Sequence, residues 1–210
     1  DLARVVREES EALVVVDAVS SLAGASIETD AWGLDVVLTA SQKALALPPG
    51  LAFCAVSERA EQRIADVPRR GFYTDLRRYL DKHREGGTIT TPAVTLFWAA
   101  EAQLAAILTE GIEARWARHA TLHRRTVDWA DKRGLRLPAT AAHRSPTVTT
   151  IEAPSGHSAP DVVRALAAQG FTVSSGYGDW KPTTFRIGHM GEINESDLEG
   201  LLAAIDNLLA

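Results

Sequence analysis

The sequence contains little sulfur and no long apolar run. Cys54 is the only cysteine among 210 residues. A single cysteine excludes an internal disulfide framework and is typical of a reducing compartment, so we expect a cytoplasmic protein. No apolar run approaches the roughly 20 residues that a membrane-spanning helix requires, and the first residues do not resemble a signal peptide. We therefore expect no membrane partner.

An excess of positive charge is also absent. The chain has 22 lysines and arginines against 27 aspartates and glutamates, which gives a formal net charge of -5. Domains that bind nucleic acid usually carry a basic patch, so we expect no nucleic-acid partner. Hydrophobic residues make up 46% of the chain, enough for a sizeable core in one large domain or two small ones.

Two short apolar runs each lead into a polar residue that can do chemistry. Val14-Val15-Val16 leads to Asp17, and Val36-Val37-Leu38-Thr39 leads towards Lys43. β-branched runs of this length are typical of buried parallel strands, which predicts an α/β fold. Ligands of such sheets bind beyond the carboxyl ends of the strands. We therefore expect Asp17 and Lys43 at one edge of one sheet.

Lysine and aspartate together indicate a particular cofactor chemistry. A lysine amine can form an imine with an aldehyde, and an aspartate can keep a pyridine nitrogen protonated. Pyridoxal phosphate requires both groups. The alternative is a surface lysine that follows a strand and an aspartate that caps the next helix.

Three longer motifs resemble one enzyme family. They are Val16-Asp17-Ala18-Val19-Ser20-Ser21-Leu22-Ala23-Gly24, Ser41-Gln42-Lys43-Ala44-Leu45 with Pro48-Pro49-Gly50, and Phe185-Arg186-Ile187-Gly188-His189-Met190-Gly191. Together they resemble the class V aminotransferases of fold type I, most closely the alanine-glyoxylate and serine-glyoxylate aminotransferases. The resemblance implies a mostly parallel large-domain sheet followed by a small α+β domain.

The resemblance also implies roles for individual residues. Lys43 would carry pyridoxal 5'-phosphate and move the proton during catalysis, and Asp17 would contact the pyridine nitrogen. Val19 would lie against the ring and Gln42 near the phosphate. We expect no metal at this site.

Two further residues are implied in binding. In the family, the residue at the position of Thr90 reaches the phosphate of the neighbouring subunit, which implies a homodimer. Many relatives carry a tyrosine where this chain has Gly87. Arg186 would hold the substrate carboxylate, since its planar guanidinium can make two parallel hydrogen bonds. The alternative for Arg186 is a structural ion pair with an internal acid.

Three functions follow from the resemblance. The first is transamination between a small amino acid, alanine or serine, and glyoxylate or pyruvate. The second is another amine donor, as in pyridoxamine-pyruvate aminotransferase. The third is a non-catalytic assembly or partner-binding remnant, because the resemblance covers only the C-terminal half or so of a family member. The chain would then be a fragment, a processed product or one piece of a split protein. A desulfurase nucleophile is not favoured, because Cys54 falls in a predicted strand and is expected in the core.

The pattern of elements predicts two domains. Residues 1–110 would form the C-terminal portion of the cofactor-binding domain, and residues 111–210 the small domain. Helices are predicted over 57–67, 72–83, 93–109 and 111–134, with Thr91-Pro92 starting the third. Beyond Gly134 we predict a strand over 147–152, a helix over 159–169, strands over 172–175 and 184–187, and a helix over 195–209. His119 and His123 have metal-ligand spacing on a helix, but nearby arginines favour two surface histidines.

Overall fold

The chain forms two compact units. The computed structural model describes residues 2–68 and 71–209. One unit comprises Asp1–Leu22 and Ile27–Ala106, and the other comprises Ala23–Ser26 and Ile107–Ala210. Among the described residues, no helix combines the length and the apolar character needed to cross a bilayer.

The first unit contains a mixed three-stranded sheet. Its strands are β1 (Val15–Asp17), β2 (Val36–Ala40) and β3 (Ala52–Val56), in the order β1-β2-β3. β1 and β2 are parallel, as expected, and β3 is antiparallel to β2. Only the central strand β2 is buried. The expectation that the first strand is buried is wrong for this chain, because β1 lies at the edge of the sheet and Val15 is 59% exposed.

The first part of the chain contains helices, two of which begin at a side chain that caps a free N–H group. The helices are α1 (Leu2–Glu9), α2 (Glu58–Asp66), α3 (Leu76–Arg84) and α4 (Val94–Glu110). Ser57 accepts a hydrogen bond from the Ala60 N–H at the start of α2, as the sequence predicts. Asp75 caps α3 in the same way. The predicted start of α4 at Thr91-Pro92 is wrong, because the helix begins two residues after Pro92.

A small apolar cluster packs around the parallel strands of the first unit. Its buried members are Ala18, Leu34 and Val37. Partly buried apolar residues surround it, namely Ala3, Val14, Val16, Leu22 and Ile27. This packing fixes the segment that follows β1 against β2, which is where the predicted site begins.

The described part of the second unit contains an antiparallel sheet and three α-helices that lie wholly within it. Its strands are β4 (Val148–Glu152), β5 (Ser174–Ser175) and β6 (Thr184–Gly188), in the order β4-β6-β5. Its helices are α5 (Ile112–Lys132), α6 (Ala159–Ala168) and α7 (Glu195–Leu209). The predicted order of strand, helix, strand, strand and helix after Gly134 is confirmed, although β5 is two residues shorter than predicted.

The two faces of the β4-β6 pair differ. Ile151 pairs with Phe185 and Thr149 pairs with Ile187, and all four side chains are buried. Alternate residues of a strand point to opposite faces of the sheet. Arg186 therefore lies on the face away from this core, in register with Thr150 on β4 and Ser174 on β5.

Candidate active site

The parallel pairing of β1 and β2 brings the two predicted catalytic segments to one sheet edge. Asp17 is in register with Leu38, and the Ala18 N–H donates to the Leu38 carbonyl at 2.8 Å. The Thr39 hydroxyl donates to the Ala18 carbonyl at 3.3 Å. β2 then ends at Ala40, three residues before Lys43. Both segments thus leave the carboxyl ends of adjacent parallel strands, as the sequence predicts.

Asp17 ends β1 with an exposed side chain. Its Oδ1 accepts a hydrogen bond from the Val19 N–H at 2.9 Å, which fixes the carboxylate over the turn that follows the strand. Oδ2 has no partner among residues 2–68 and 71–209. The carboxylate is therefore held at one oxygen and can accept a further N–H at the other. Val19 is half-buried beside it.

Lys43 lies in a loop that is closed on a buried serine. The Ser41 hydroxyl donates to the Pro48 carbonyl at 2.7 Å and accepts from the Leu51 N–H at 3.2 Å. The Ser41 N–H also donates to the Leu51 carbonyl at 3.0 Å. Ala44, directly after Lys43, is buried. These anchors on both sides of Lys43 fix its backbone.

The side chains of Gln42 and Lys43 remain available within this fixed loop. Lys43 is half-buried and Gln42 is exposed. Neither side chain makes a hydrogen bond or ion pair with the part of the chain that the structure describes. An amine without a carboxylate partner suits a lysine that must react as a nucleophile.

Asp35 lies directly before β2, at the opposite end of the parallel strands from Asp17 and Lys43. Its role was not predicted from the sequence. Its fully buried carboxylate accepts hydrogen bonds from the Val14 N–H at 2.8 Å and the Ser57 hydroxyl at 3.0 Å. It also pairs with Arg59 at 3.1 Å and Arg7 at 3.4 Å.

The same partners set the ionisation of Asp35. Burial alone would raise the pKa of Asp35, but the backbone hydrogen bond, the hydroxyl and the two guanidinium groups outweigh it and lower the pKa. A charged Asp35 therefore ties the start of β1 to the start of β2. An acidic residue directly before a buried strand was the signal in the sequence.

Thr90 lies in the exposed loop between α3 and α4. Its carbonyl accepts a hydrogen bond from the Thr88 hydroxyl at 2.7 Å, which tightens the loop. Its own hydroxyl has no partner in the described part of the chain. No described contact joins Thr90 to Asp17 or Lys43.

Arg186 lies on β6 in the second unit. Its Nε donates to the Ser175 carbonyl at 2.9 Å, and its guanidinium carbon lies 4.1 Å from the centroid of the Tyr177 ring. No acid pairs with Arg186 among the described residues. The alternative of a structural ion pair with an internal acid therefore finds no support there, and both Nη groups remain available.

The predicted surface position of the two histidines is wrong. His119 is fully buried and His123 is half-buried. His119 Nε2 lies 3.2 Å from the Gly191 carbonyl and donates to it. His123 Nδ1 lies 3.0 Å from the Thr149 hydroxyl. Arg118, on the same helix, donates to the same Gly191 carbonyl at 3.0 Å, so an arginine does lie beside His119, within the structure rather than at an open surface.

Cys54 is exposed rather than in the core, which corrects a second expectation. It lies on β3, which is an edge strand of the sheet, and pairs there with Leu38. Its position in a strand predicted core packing, but Ala52, Cys54 and Ala55 of β3 are all exposed in the described structure.

The chain belongs to the aminotransferase class-V family. The family model "Aminotransferase class-V" matches residues 1–193. The resemblance to class V aminotransferases drawn from the motifs is therefore confirmed. Membership implies pyridoxal 5'-phosphate as the cofactor, and the side-chain atoms left available at Asp17 and Lys43 fit that group.

Two curated relatives each match nearly the whole chain. The chain is 38% identical over 213 residues to "Soluble hydrogenase, small subunit" of Synechococcus sp. (strain PCC 6716), covering 99% of this chain and 54% of that protein. It is 36% identical over 202 residues to the serine-glyoxylate aminotransferase of Arabidopsis thaliana, covering 94% of this chain and 50% of that protein. The chain thus spans about half the length of the curated relatives it matches.

A solved structure also matches the whole chain. The alanine-glyoxylate aminotransferase of Nostoc sp. has a TM-score of 0.92 and 29% identity, covering 100% of this chain and 56% of that chain. The prediction of part of a pyridoxal-phosphate transferase of fold type I is confirmed by this similarity.

Proposed function

We propose that the protein containing this chain is an aminotransferase that exchanges the amino group of alanine or serine with glyoxylate or pyruvate. The observation that supports this most directly is the parallel register of β1 and β2, which brings the segments of Asp17 and Lys43 to one sheet edge. The similarity to a serine-glyoxylate and an alanine-glyoxylate aminotransferase favours alanine, serine and glyoxylate as substrates.

Five residues would hold pyridoxal phosphate in this proposal. Lys43 would bind it covalently through Nζ, and Asp17 would accept a hydrogen bond from its pyridine nitrogen. Val19 would contact the ring, and Gln42 and Thr90 would contact the phosphate. The available Oδ2 of Asp17 and the unpaired amine of Lys43 in the described chain support these roles.

The residues of this chain would then divide the chemistry between them. The bound cofactor supplies an electron-withdrawing ring that acidifies the α-carbon of the substrate. The negative charge of Asp17 keeps the pyridine nitrogen protonated. The amine of Lys43 would take the proton from the α-carbon of the substrate and deliver it to C4′ of the cofactor, and would move it back in the second half of the exchange. The closed loop around Ser41 holds Lys43 in place for both transfers.

Arg186 would bind the α-carboxylate of each substrate in turn. Its two Nη groups match the two oxygens of a carboxylate, and the described residues leave them available. Because alanine, serine, glyoxylate and pyruvate all carry this carboxylate, one arginine would serve both halves of the exchange.

The proposal includes a homodimer. Thr90 would reach the phosphate of the neighbouring subunit, as the family resemblance implies. The exposed loop position of Thr90 and the absence of a partner for its hydroxyl in the described chain support a contact with another molecule.

Substitution of Lys43 in the full-length protein tests the proposal. Lys43→Ala should abolish transamination and the visible absorbance of lysine-bound pyridoxal phosphate, whereas Lys132→Ala, at an exposed lysine of α5, should retain both. Transamination that survives in Lys43→Ala would contradict the proposal.

A panel of donors decides between the substrate alternatives. Alanine, serine and pyridoxamine should be assayed against glyoxylate and pyruvate with the wild-type protein. Activity with pyridoxamine alone would replace the proposed amino-acid donors, and a full-length protein that never gains visible absorbance with added cofactor would favour a non-catalytic role.

A further inference from the structure

Tyr177 is placed to control the side chain that would receive the substrate carboxylate. Its ring covers one face of the Arg186 guanidinium, with 4.1 Å between the guanidinium carbon and the ring centroid. A cation at this distance is attracted by the negative face of an aromatic ring. The structure therefore joins these two residues by stacking, in addition to the bond from Arg186 Nε to the Ser175 carbonyl.

The two contacts leave the Nη edge of Arg186 available. The Nε edge is occupied by the Ser175 carbonyl, and one face is covered by the Tyr177 ring. The two Nη groups remain available, side by side, for an in-plane pair of hydrogen bonds to a carboxylate. Stacking and the Nε bond together reduce the orientations that Arg186 must lose when the carboxylate binds.

The loop that carries Tyr177 is fixed by its neighbours. The Gly176 N–H donates to the Thr184 carbonyl at 2.8 Å. A Cβ at Gly176 would come within 2.1 Å of the Thr184 hydroxyl oxygen, so the close approach requires glycine. A short 3-10 helix, Gly178–Trp180, follows directly. Tyr177 is thus held between a tight hairpin contact and a helical turn, although its ring is largely exposed.

We propose that Tyr177 is a positioning residue that stacks on Arg186 and presents its two Nη groups to the α-carboxylate of the substrate. This inference rests on the carboxylate-binding role given to Arg186 under the proposed function. Tyr177 itself touches neither the reacting atoms nor the cofactor in this proposal. The aromatic ring is the required feature, and the phenol hydroxyl is not.

Kinetic variants of the full-length protein test the inference. Tyr177→Ala should raise KM for the amino-acid substrate roughly fivefold with little change in kcat, because an exposed stacking contact of about 1 kcal/mol corresponds to that factor at 1.4 kcal/mol per factor of ten. Tyr177→Phe should restore the wild-type KM. Trp180→Ala, at an exposed aromatic residue of the same loop, is the matched control and should leave KM unchanged.

A binding experiment separates this inference from the proposed function. The Nε–H resonance of Arg186 in nitrogen-15-labelled protein should be displaced by the ring current of Tyr177 and should respond to added propionate, a carboxylate without an amino group. Propionate should bind the Tyr177→Ala protein roughly fivefold more weakly than the wild type. Should Tyr177→Ala be poorly folded, Tyr177→Leu replaces it.

The outcomes distinguish failure of the positioning role from failure of the proposed function. Unchanged propionate affinity in the variant without the ring, or a Tyr177→Phe protein as impaired as Tyr177→Ala, overturns the positioning role. An Arg186 resonance that ignores propionate in the wild type removes the carboxylate role and the positioning role together. Transamination retained in Lys43→Ala would contradict the proposed function. Even then, weaker binding of propionate to Tyr177→Ala than to the wild type would still support the stacking role of Tyr177.

Discussion

Thr149 and His189 form a hydrogen bond inside the core of the second unit, with 2.8 Å between the hydroxyl oxygen and Nε2. Both side chains are buried, and the same hydroxyl lies 3.0 Å from His123 Nδ1. The rings of His123 and His189 meet edge to face with centroids 5.8 Å apart. A hydrogen-bonded network of these three side chains thus links α5 and β4 to His189, which directly follows β6 and lies three residues after Arg186.

This hydrogen-bonded network should make the stability of the second unit decrease at acidic pH. Burial, then repulsion from His123 and His119, lowers the pKa of His189 to about 3. Between pH 6.5 and 3 the unfolded chain therefore binds a proton that the folded chain does not, so the free energy of unfolding falls as pH decreases. His189 alone should cost about 2 kcal/mol at pH 5 relative to pH 7.5. Native-state hydrogen exchange of the β6 amides at several pH values measures this loss.

A matched pair of variants measures the contribution of His189 to this pH dependence. His189→Gln, which does not titrate, should reduce the dependence of amide protection on pH between 7.5 and 5, and burial, which also lowers the pKa values of His119 and His123, accounts for the part that remains. His157→Gln, at an exposed histidine, should keep the wild-type slope. A His189→Gln protein with the wild-type slope would show that the acid sensitivity arises elsewhere.

The sequence predicted the elements well because most of their signals are local. Ser57 before α2 and Ser158 before α6 cap their helices as such residues usually do. The alternation of apolar residues in β4 and β6 follows the pleat of a two-faced sheet. The segments carrying Asp17 and Lys43 were likewise predictable, because Asp17 ends its strand and Lys43 follows closely after its own.

The parts that the sequence did not predict depend on partners distant along the chain. His119 is buried because Gly191, 72 residues later, supplies its hydrogen-bond acceptor. Ser41 fixes the loop of Lys43 only after the chain returns at Leu51. The stacking of Tyr177 on Arg186 requires the β5-β6 pairing. A polar residue in a helix or loop gives no local signal that such a partner exists.

Removal of the buried charge at Asp35 should destabilise the first unit. Asp35→Asn weakens the bonds to Val14, Ser57 and Arg59, and we expect a loss of about 2 to 3 kcal/mol in the free energy of unfolding. Denaturant unfolding near neutral pH measures the loss. Asp30→Asn, at an exposed position, should be close to neutral.

Asp35 should not contribute to the acid sensitivity near pH 5. Its pKa is lowered in the folded state, so its stabilisation is complete above the unfolded value near 3.8 and is lost only as pH falls through the folded value. The loss caused by Asp35→Asn should therefore be the same at pH 7.5 and pH 5. A loss that shrinks over this range would contradict this account.

A side chain at Gly176 should disturb the hairpin before β6. Gly176→Ala would bring a Cβ within 2.1 Å of the Thr184 hydroxyl oxygen and 2.7 Å of the Trp180 carbonyl oxygen. We expect a loss of about 2 kcal/mol, the cost typical of overpacking. Gly188→Ala is the matched control, since no atom lies within 4 Å of its added Cβ and its φ is not positive. Equal stabilities of the two variants by denaturant unfolding would contradict the crowding argument.

The two acids that pair with buried Arg115 should contribute unequally to stability. Arg115 is 1% exposed and donates to Glu110 at 2.7 Å and to Glu192 at 2.9 Å. Glu110 also pairs with Arg118 at 2.8 Å, and this bond, opposed by burial and aided by Arg115, lowers the pKa of Glu110. Glu192 is more exposed, with 60% of its side chain accessible.

Glu110→Ala should therefore cost about 3 kcal/mol, because it leaves the buried charge of Arg115 without its better shielded partner. Glu192→Ala should cost about 0.5 kcal/mol, since water can replace an exposed carboxylate. Denaturant unfolding of the two single variants measures the difference. Equal losses would mean that burial of the acid does not decide the strength of these pairs, and that Arg115 is stabilised by its other contacts.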